Sequence, residues 1–346
     1  MLNKIKIAID RELPIFLDRL NRSFSLRKLS PILYEYIHDY VLRPGKRVRP
    51  TLLIMGYLGF ARRKARGLYT SALSLELLHD FMLVHDDIID KSDLRRGKPA
   101  MHTMFRAYLN SAKDIKFNGE DLAIVAGDIM YAMGLHAFQA VRVDLTDKEK
   151  AMKKLIEAAI YTGCGEFIEL LYGTKDISEI TKADIYTIYD LKTARYTFSY
   201  PLAIGATLAG ANDKQIQVLF DFGARLGRAF QIKDDALGIF GTEEEIGKSI
   251  LTDLQEAKKT IFIWHAYNHA DRKNKGTIKR ILLKEKITAT DLKAIRQIIS
   301  ASGALEFVRK EIKDLIGEAQ TLLRSSSIKK QYQSLLLSYS QQILSV

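Results

Sequence analysis

Apolar residues recur at spacings of three and four through nearly the whole chain, and only six of its 346 residues are proline. The prolines stand at positions 14, 31, 44, 50, 99 and 201, so long stretches run without a helix breaker. LSLELLHDFMLVHDDII (73–89), LAIVAGDIMYAMGLHAFQAV (122–141), AMKKLIEAAIYTGCGEFIELL (151–171) and IQVLFDFGARLGRAFQIKDDALGIF (216–240) all carry this period, and alternating strand patterns are scarce. Several of these segments are apolar nearly all round, which marks central elements of a bundle. Breaks are expected at RPGKRVRP (43–50), RRGKP (95–99), AKDIKFNGED (112–121), GTKDISEI (173–180) and GTEEEIGKSILTD (241–253), and none reads as an interdomain linker. The expectation is a single all-α domain over 1–346, with the motif-bearing core at about 40–265 and more charged outer helices at about 266–346.

Hydrophobic residues at 47% and charged residues at 27% allow a sizeable core and argue against disorder. The net charge of +12 points to an anionic partner. No dense basic run with interleaved aromatics appears, so nucleic acid is not the expected one. A single cysteine, Cys164, excludes a disulfide framework within the chain and fits a reducing compartment. The amphipathic start MLNKIKIAIDRELPIFLDRL carries acids inside its apolar pattern, unlike a signal peptide. Apolar stretches such as TLLIMGYLGF (51–60) read as too short to span a membrane. A soluble cytoplasmic protein without an integral membrane segment is expected.

The stretch LVHDDIIDKSDLRRGKPAMH (83–102) carries the chemistry. On a helix Asp86 and Asp90 point the same way, with Cβ atoms about 5–6 Å apart. Two bare carboxylates at that distance repel by roughly 3 kcal/mol at an effective dielectric near 20. A solvated face with Asp87 paired to Lys91 does not explain why the acids follow Phe81, Leu83 and Val84. A hard divalent cation removes the repulsion, and magnesium binds through one or two carboxylates while leaving positions for water and phosphate. Arg95 and Arg96 follow, where forked donors can grip the same phosphates. FQIKDDALGIFG (230–241) places a second Asp-Asp pair on another mostly apolar helix, with Gln231 before Asp234 and Lys248 after a short loop. RPGKRVRP gathers Arg43, Lys46, Arg47 and Arg49 around a Pro-Gly turn suited to a phosphate.

In this order, GKRVRP, LELLHDFMLVHDDIIDKSDLRRGKPAMH, AGDIMY (126–131), LKTARYTFSYPLAIGA (191–206) and GRAFQIKDDALGIFG followed by GKSILTDLQEAKKT (247–260) resemble the trans-isoprenyl diphosphate synthases, the polyprenyl synthetase family. The resemblance implies an isoprenoid-synthase helical bundle around a deep central cavity, with the two aspartate-rich helices facing each other, in a homodimer. It assigns isopentenyl diphosphate to Lys46, Arg49, His79 and Arg96. It assigns the allylic diphosphate to Arg95, Lys192, Thr193, Gln231, Lys248 and Lys258. Several Mg2+ ions are implied, bridging that diphosphate to Asp86 and Asp90 on one side and Asp234 on the other. Asp86, Asp90, Arg95, Lys192 and Asp234 are thus the expected catalytic set, with Arg47 and Asp87 as support.

The chemistry accounts for these residue types. Ionisation of the allylic carbon–oxygen bond leaves diphosphate and a delocalised carbocation, and cations on the leaving group stabilise that charge. The isopentenyl double bond attacks the cation, a proton is lost to the departing diphosphate, and apolar walls keep water away. Two departures from the family stand out. Gly238 replaces a third aspartate in DDALG, and Glu166 and Glu169 stand where the family often has Gln and Asp. A class I terpene cyclase shares DDxxD but has no use for GKRVRP, and a catalytically silent partner subunit tends to lose one motif. For product length, Met82, Phe81 and Leu78 lie roughly 6, 7.5 and 12 Å below Asp86 along the helix. An aromatic at the fifth position before Asp86 and none at the fourth resembles archaeal-type geranylgeranyl synthases, so C20 is the expected product, with C15 and C25 its nearest alternatives. Phe81 as a plain core residue facing a neighbouring helix is the competing account. Asp86→Ala or Asp90→Ala is expected to lower magnesium-dependent prenyl transfer by several orders of magnitude with the fold intact. Near-normal turnover of Asp86→Ala at saturating magnesium would rule the assignment out.

Overall fold

The helical period is realised almost throughout the computed structural model, which describes residues 2–242 and 250–344. The chain forms two compact units, Met1–Leu155 with Ile204–Ala211, and Ile156–Ala203 with Asn212–Val346.

The first unit opens with α1 (Leu2–Phe24), which buries Ile5, Ile9, Leu13, Phe16, Leu17 and Leu20 on one stripe. A short α2 (Leu26–Leu29) leads to α3 (Pro31–Leu42), where the Ser30 hydroxyl accepts from the Leu33 N–H and Pro31 takes the first turn. There the proline's missing donor costs nothing. α4 (Val48–Phe60) and α5 (Leu68–Ile89) follow, and α5 is the centre of the unit: every residue from Ser71 to Leu78 is buried. It touches α1, α3, α4, α6 (Met101–Leu109) and α7 (Gly119–Phe138), and packs most extensively along α7. This is why its sequence is apolar nearly all round. α7 starts from a capping box in which Asn118 and Asp121 satisfy each other's backbone N–H groups. The first turns of α8 (Leu145–Gly173) complete this unit together with the end of α10 (Tyr200–Leu208).

One local expectation needs correcting and another gains detail. α7 is 20 residues long with a mean hydropathy of 1.2, enough by length and composition to cross a bilayer, contrary to the sequence reading of short apolar stretches. Its packing along α5 and α6 covers part of that apolar surface. The RRGKP break is a β-hairpin, in which β1 (Leu94–Arg95) pairs with β2 (Lys98–Pro99) across a two-residue turn. Arg96 (φ 56°) and Gly97 (φ 72°) both take left-handed backbone, as a tight turn matched to strand twist requires.

In the second unit, α9 (Lys182–Ile188) starts from a Thr181/Asp184 capping box and runs into an 11-residue π-helical segment, Tyr189–Ser199, followed by α10. α11 (Asp213–Phe240), capped by Asn212 and Gln215, packs along the π segment. Then come α12 (Thr252–Gln255), α13 (Ile261–His269), α14 (Arg272–Leu282), α15 (Ala289–Ala301), α16 (Ala304–Arg324) and α17 (Lys330–Leu344), with α16 laid against α11. π geometry is uncommon and concentrates at functional sites. Here it is held by a bidentate pair, Arg228 Nε to Asp190 Oδ1 at 2.5 Å and Nη2 to Oδ2 at 2.6 Å. It is also held by backbone proximity, since a Cβ at Gly227 would lie 2.4 Å from the Ala194 Cα. Gly227→Ala therefore forces the two helices apart and is expected to cost about 1–3 kcal/mol. Gly276, with open space around its Cα, is the control position. Equal melting temperatures for Gly227→Ala and Gly276→Ala would contradict the close approach.

Candidate active site

In the first unit the site forms where α5 ends. Asp86 and Asp90 are both partly exposed, and each offers a carboxylate oxygen within 4.8 Å of the other's. Asp87, turned about 100° from Asp86 along the helix, is fully buried. Its carboxylate accepts from the Tyr40 hydroxyl at 3.2 Å, from Arg95 Nε at 2.7 Å and from Arg95 Nη2, so its partner is Arg95 rather than Lys91. Burial pushes the Asp87 pKa up to about 6 against the pull of Arg95. The same guanidinium reaches Asp86 Oδ2 at 3.4 Å, which ties the arginine to the exposed pair. The two exposed carboxylates could hold a cation, and a guanidinium held by Asp87 stands beside them.

The hairpin turn sets the second arginine. Arg96 lies 3.6 Å from Asp80 and 4.0 Å from Glu76, and its Nη1 donates to the Arg43 carbonyl at 3.5 Å. Arg47, also in left-handed backbone at φ 51°, is buried and fully engaged. It donates to Asp10 at 2.9 Å, Glu76 at 2.5 Å, and the carbonyls of Val41 and Arg43 at 3.3 and 2.9 Å. That engagement ties Arg47 into the packing of the unit. Arg49 is partly buried and Lys46 exposed at the turn before α4. His79 sits close enough to this group for burial, and then the charges of Arg49, Arg96, Arg95 and Arg47, to hold its imidazole well below the usual range and neutral.

Sequence reasoning missed the acids that hold these cations. Glu76 and Asp80 stand four apart on the buried face of α5, and neither was singled out. Burial, and secondarily Glu76, pushes the Asp80 carboxyl well above the ordinary carboxylate range. The available signal was two acids one turn apart in the apolar segment LELLHDF, a placement that needs cationic partners.

In the second unit, Lys192 and Thr193 are partly exposed at the start of the π segment, while Ala194 and the residues from Tyr196 to Tyr200 turn inward. Lys192 Nζ is 2.5 Å from both Glu166 and Glu169, the two positions that depart from the family pattern. On α11, Asp235 is buried, takes a short hydrogen bond from Tyr189 and accepts from Gln231 at 2.8 Å. The Tyr189 hydroxyl in turn accepts the Ile261 N–H at 3.0 Å. Asp234, next along the helix, is left partly exposed. Lys258 pairs with Glu256 at 2.6 Å. Lys248 lies outside the described residues. Gly238 leaves the following turn of α11 without a third carboxylate.

Below Asp86 on α5, Met82 and Phe81 are partly exposed and Leu78 is buried. The Phe81 ring lies 4.7 Å from His85 and 5.3 Å from Tyr131 on α7, centroid to centroid.

Comparison with known proteins matches this arrangement to one family. Residues 30–299 match the polyprenyl synthetase family model. The chain is 31% identical over 303 residues to a geranylgeranyl diphosphate synthase of Sulfolobus acidocaldarius, covering 86% of this chain and 87% of that one. It is 32% identical over 284 residues to a geranylfarnesyl diphosphate synthase of Aeropyrum pernix, covering 81% and 83%. Among solved structures, a geranylgeranyl pyrophosphate synthase of Corynebacterium glutamicum, complexed with isoprenyl diphosphate and magnesium, superposes with a TM-score of 0.90 at 25% identity, over 100% of this chain and 99% of that one. With these matches and its aspartate and arginine motifs in place on an all-helical scaffold, the chain belongs to the polyprenyl synthetase family.

Proposed function

We propose that this prenyltransferase condenses isopentenyl diphosphate with allylic diphosphates, head to tail, and releases geranylgeranyl diphosphate (C20). The observation that carries the reading is the Asp86–Asp90 pair, its oxygens within 4.8 Å, beside an Arg95 fixed by Asp87. A hard cation takes such oxygens readily, and bound magnesium would neutralise the leaving diphosphate. Asp86, Asp90 and Asp234 are the proposed ligands. Arg95, Lys192, Thr193, Gln231, Lys248 and Lys258 are proposed for the allylic diphosphate, and Lys46, Arg49, His79 and Arg96 for isopentenyl diphosphate.

Each group has a physical task. Arg95, already oriented by a buried carboxylate, presents donors without the entropy cost of ordering a free side chain. Neutral His79 can donate or accept without adding to the positive charge around it. No side chain is required as a nucleophile, because the isopentenyl double bond attacks the allylic cation. The proton then released goes to the departing diphosphate. The C20 product rests on Phe81 standing five residues before Asp86 with Met82 at the fourth position, and on relatives named geranylgeranyl diphosphate synthase. Geranylfarnesyl diphosphate (C25) is the second reading, favoured by relatives of similar identity that carry that name.

The same reading includes a homodimer in the cytoplasm, acting as one functional domain. α7 exposes Ile124 and Val125, and α8 exposes Ile160, Phe167, Leu170 and Leu171, apolar surface that a second copy would cover.

The test is incubation with magnesium, radiolabelled isopentenyl diphosphate and each allylic primer in turn, followed by chromatography of the dephosphorylated products. A C20 alcohol is expected, with no product when magnesium is chelated. Phe81→Ala should lengthen the distribution and Met82→Phe should shorten it. Failure to incorporate label from any primer would refute the activity, and unchanged chain length in both variants would remove Phe81 and Met82 as the floor.

A further inference from the structure

At the end of α5 opposite the aspartates, the first unit presents a surface that none of the motifs explains. The segment RRKAR (62–66), between α4 and α5, has four cations in five residues and no acid. Arg62, Arg63, Lys64 and Arg66 are all exposed. Leu68, where α5 begins, stands roughly 27 Å along the helix from Asp86, so these cations lie well away from the carboxylate pair. Backbone contacts hold the segment in place. The Tyr57 hydroxyl donates to the Arg63 carbonyl at 3.2 Å, and the Arg142 N–H donates to the Arg66 carbonyl at 2.9 Å. Gly67, at φ 78°, presses the segment onto the loop after α7, where an added Cβ would lie 2.0 Å from the Ala140 carbonyl oxygen. That approach brings a fifth exposed cation, Arg142, beside the segment. Leu145, 80% exposed, follows three residues later at the start of α8. At the same end of α7 the Phe24 ring, 52% exposed, lies 5.6 Å from His136.

We infer that this end of the first unit docks on an anionic bilayer surface, with Arg62, Arg63, Lys64, Arg66 and Arg142 facing the headgroups and Leu145 entering between them. The neighbouring acids are occupied elsewhere. Asp144 accepts the N–H groups of Thr146 and Asp147 at 2.9 and 3.2 Å, and Glu149 pairs with Lys153 at 2.9 Å. Among the described residues, no carboxylate forms an ion pair with any of the five cations. Like charges crowded in this way repel one another in water, and a surface of opposite charge relieves that cost. Clusters of about four to eight basic residues are what anionic lipid attracts. Leu145 selects the bilayer over other polyanions. A nucleic-acid duplex offers phosphates without apolar depth, whereas a membrane interface takes cations and an apolar side chain together. The inference is independent of the prenyl-transfer reading, which gives none of these residues a role.

The experiment sediments the full chain with sucrose-loaded vesicles of phosphatidylcholine, with and without one third phosphatidylserine. Binding is expected only with phosphatidylserine, and high salt should release the chain by screening. Each basic side chain near such a surface strengthens binding about fivefold, so Arg62→Ala/Arg63→Ala/Lys64→Ala should weaken it about a hundredfold. Leu145→Ser should weaken it at unchanged charge. Arg272→Ala/Lys273→Ala/Arg280→Ala removes three exposed cations elsewhere and should change it by less than about fivefold. Absence of binding to phosphatidylserine, salt-insensitive binding, or equal losses in the two triple variants would overturn the inference. A mixed-sequence DNA duplex that binds while the vesicles do not would assign the patch to nucleic acid and overturn it too. The first triple variant should still incorporate isopentenyl units at the rate of the unaltered chain. Loss of incorporation in that variant, with its melting temperature unchanged, would move these cations into the diphosphate site and count against docking. A chain that binds the vesicles as expected but incorporates nothing from any primer upholds this inference and refutes the functional reading alone.

Discussion

Cations gathered in one place repel one another, and the first unit is built around containing that repulsion. Arg47, Arg95 and Arg96 converge on α5, and α5 answers with Glu76, Asp80 and Asp87 on its inward side. In the pair Arg47–Glu76, at 2.5 Å, both side chains are almost wholly buried. Losing one member of such a pair strands a charge in the interior, at a cost of about 3–5 kcal/mol. The arrangement also explains why two of the arginines tolerate left-handed backbone. Arg47 is fixed by four hydrogen bonds, and Arg96 sits in a hairpin turn whose twist requires it. α5 thus serves as the core helix of the unit and as the counter-charge of these arginines.

The paired aspartates follow a common rule in both units. The second member is buried and hydrogen-bonded by a tyrosine, Asp87 by Tyr40 and Asp235 by Tyr189, while the first is left partly exposed. Successive residues on a helix point about 100° apart, so anchoring the second carboxylate fixes the direction of the first. The doubled acid is therefore a positioning device as well as a source of charge.

The departures from the family pattern also find a physical place. Glu166 and Glu169 both close on Lys192, each at 2.5 Å, and at 169 a glutamate reaches one methylene farther than the Asp the family often has there. The close backbone approach beneath them depends on Gly165, whose Cβ would fall 2.6 Å from the Lys192 nitrogen. Lys192 is consequently held between two acids on α8, at the start of a π segment that Arg228 ties to α11.

The periodicity of apolar residues determined the all-helical class, and the spacing of Asp86 and Asp90 determined a cation-ready pair, because both follow from the fixed rise and turn of an α-helix. The order of the motifs was enough to place the chain in its family. Three things were decided only by tertiary structure. Arg95 turned to Asp87, since a hairpin rather than a plain loop follows α5 and folds the arginine back onto it. Glu76 and Asp80 became partners of Arg47 and Arg96, which depend on a turn some thirty residues earlier and on a hairpin after α5. Phe81 met Tyr131, from a helix that the sequence could identify but not place in register. Local spacing is set by one helix's own geometry, whereas pairing between helices depends on backbones that approach closely at small residues, and no single segment records where its neighbour will lie.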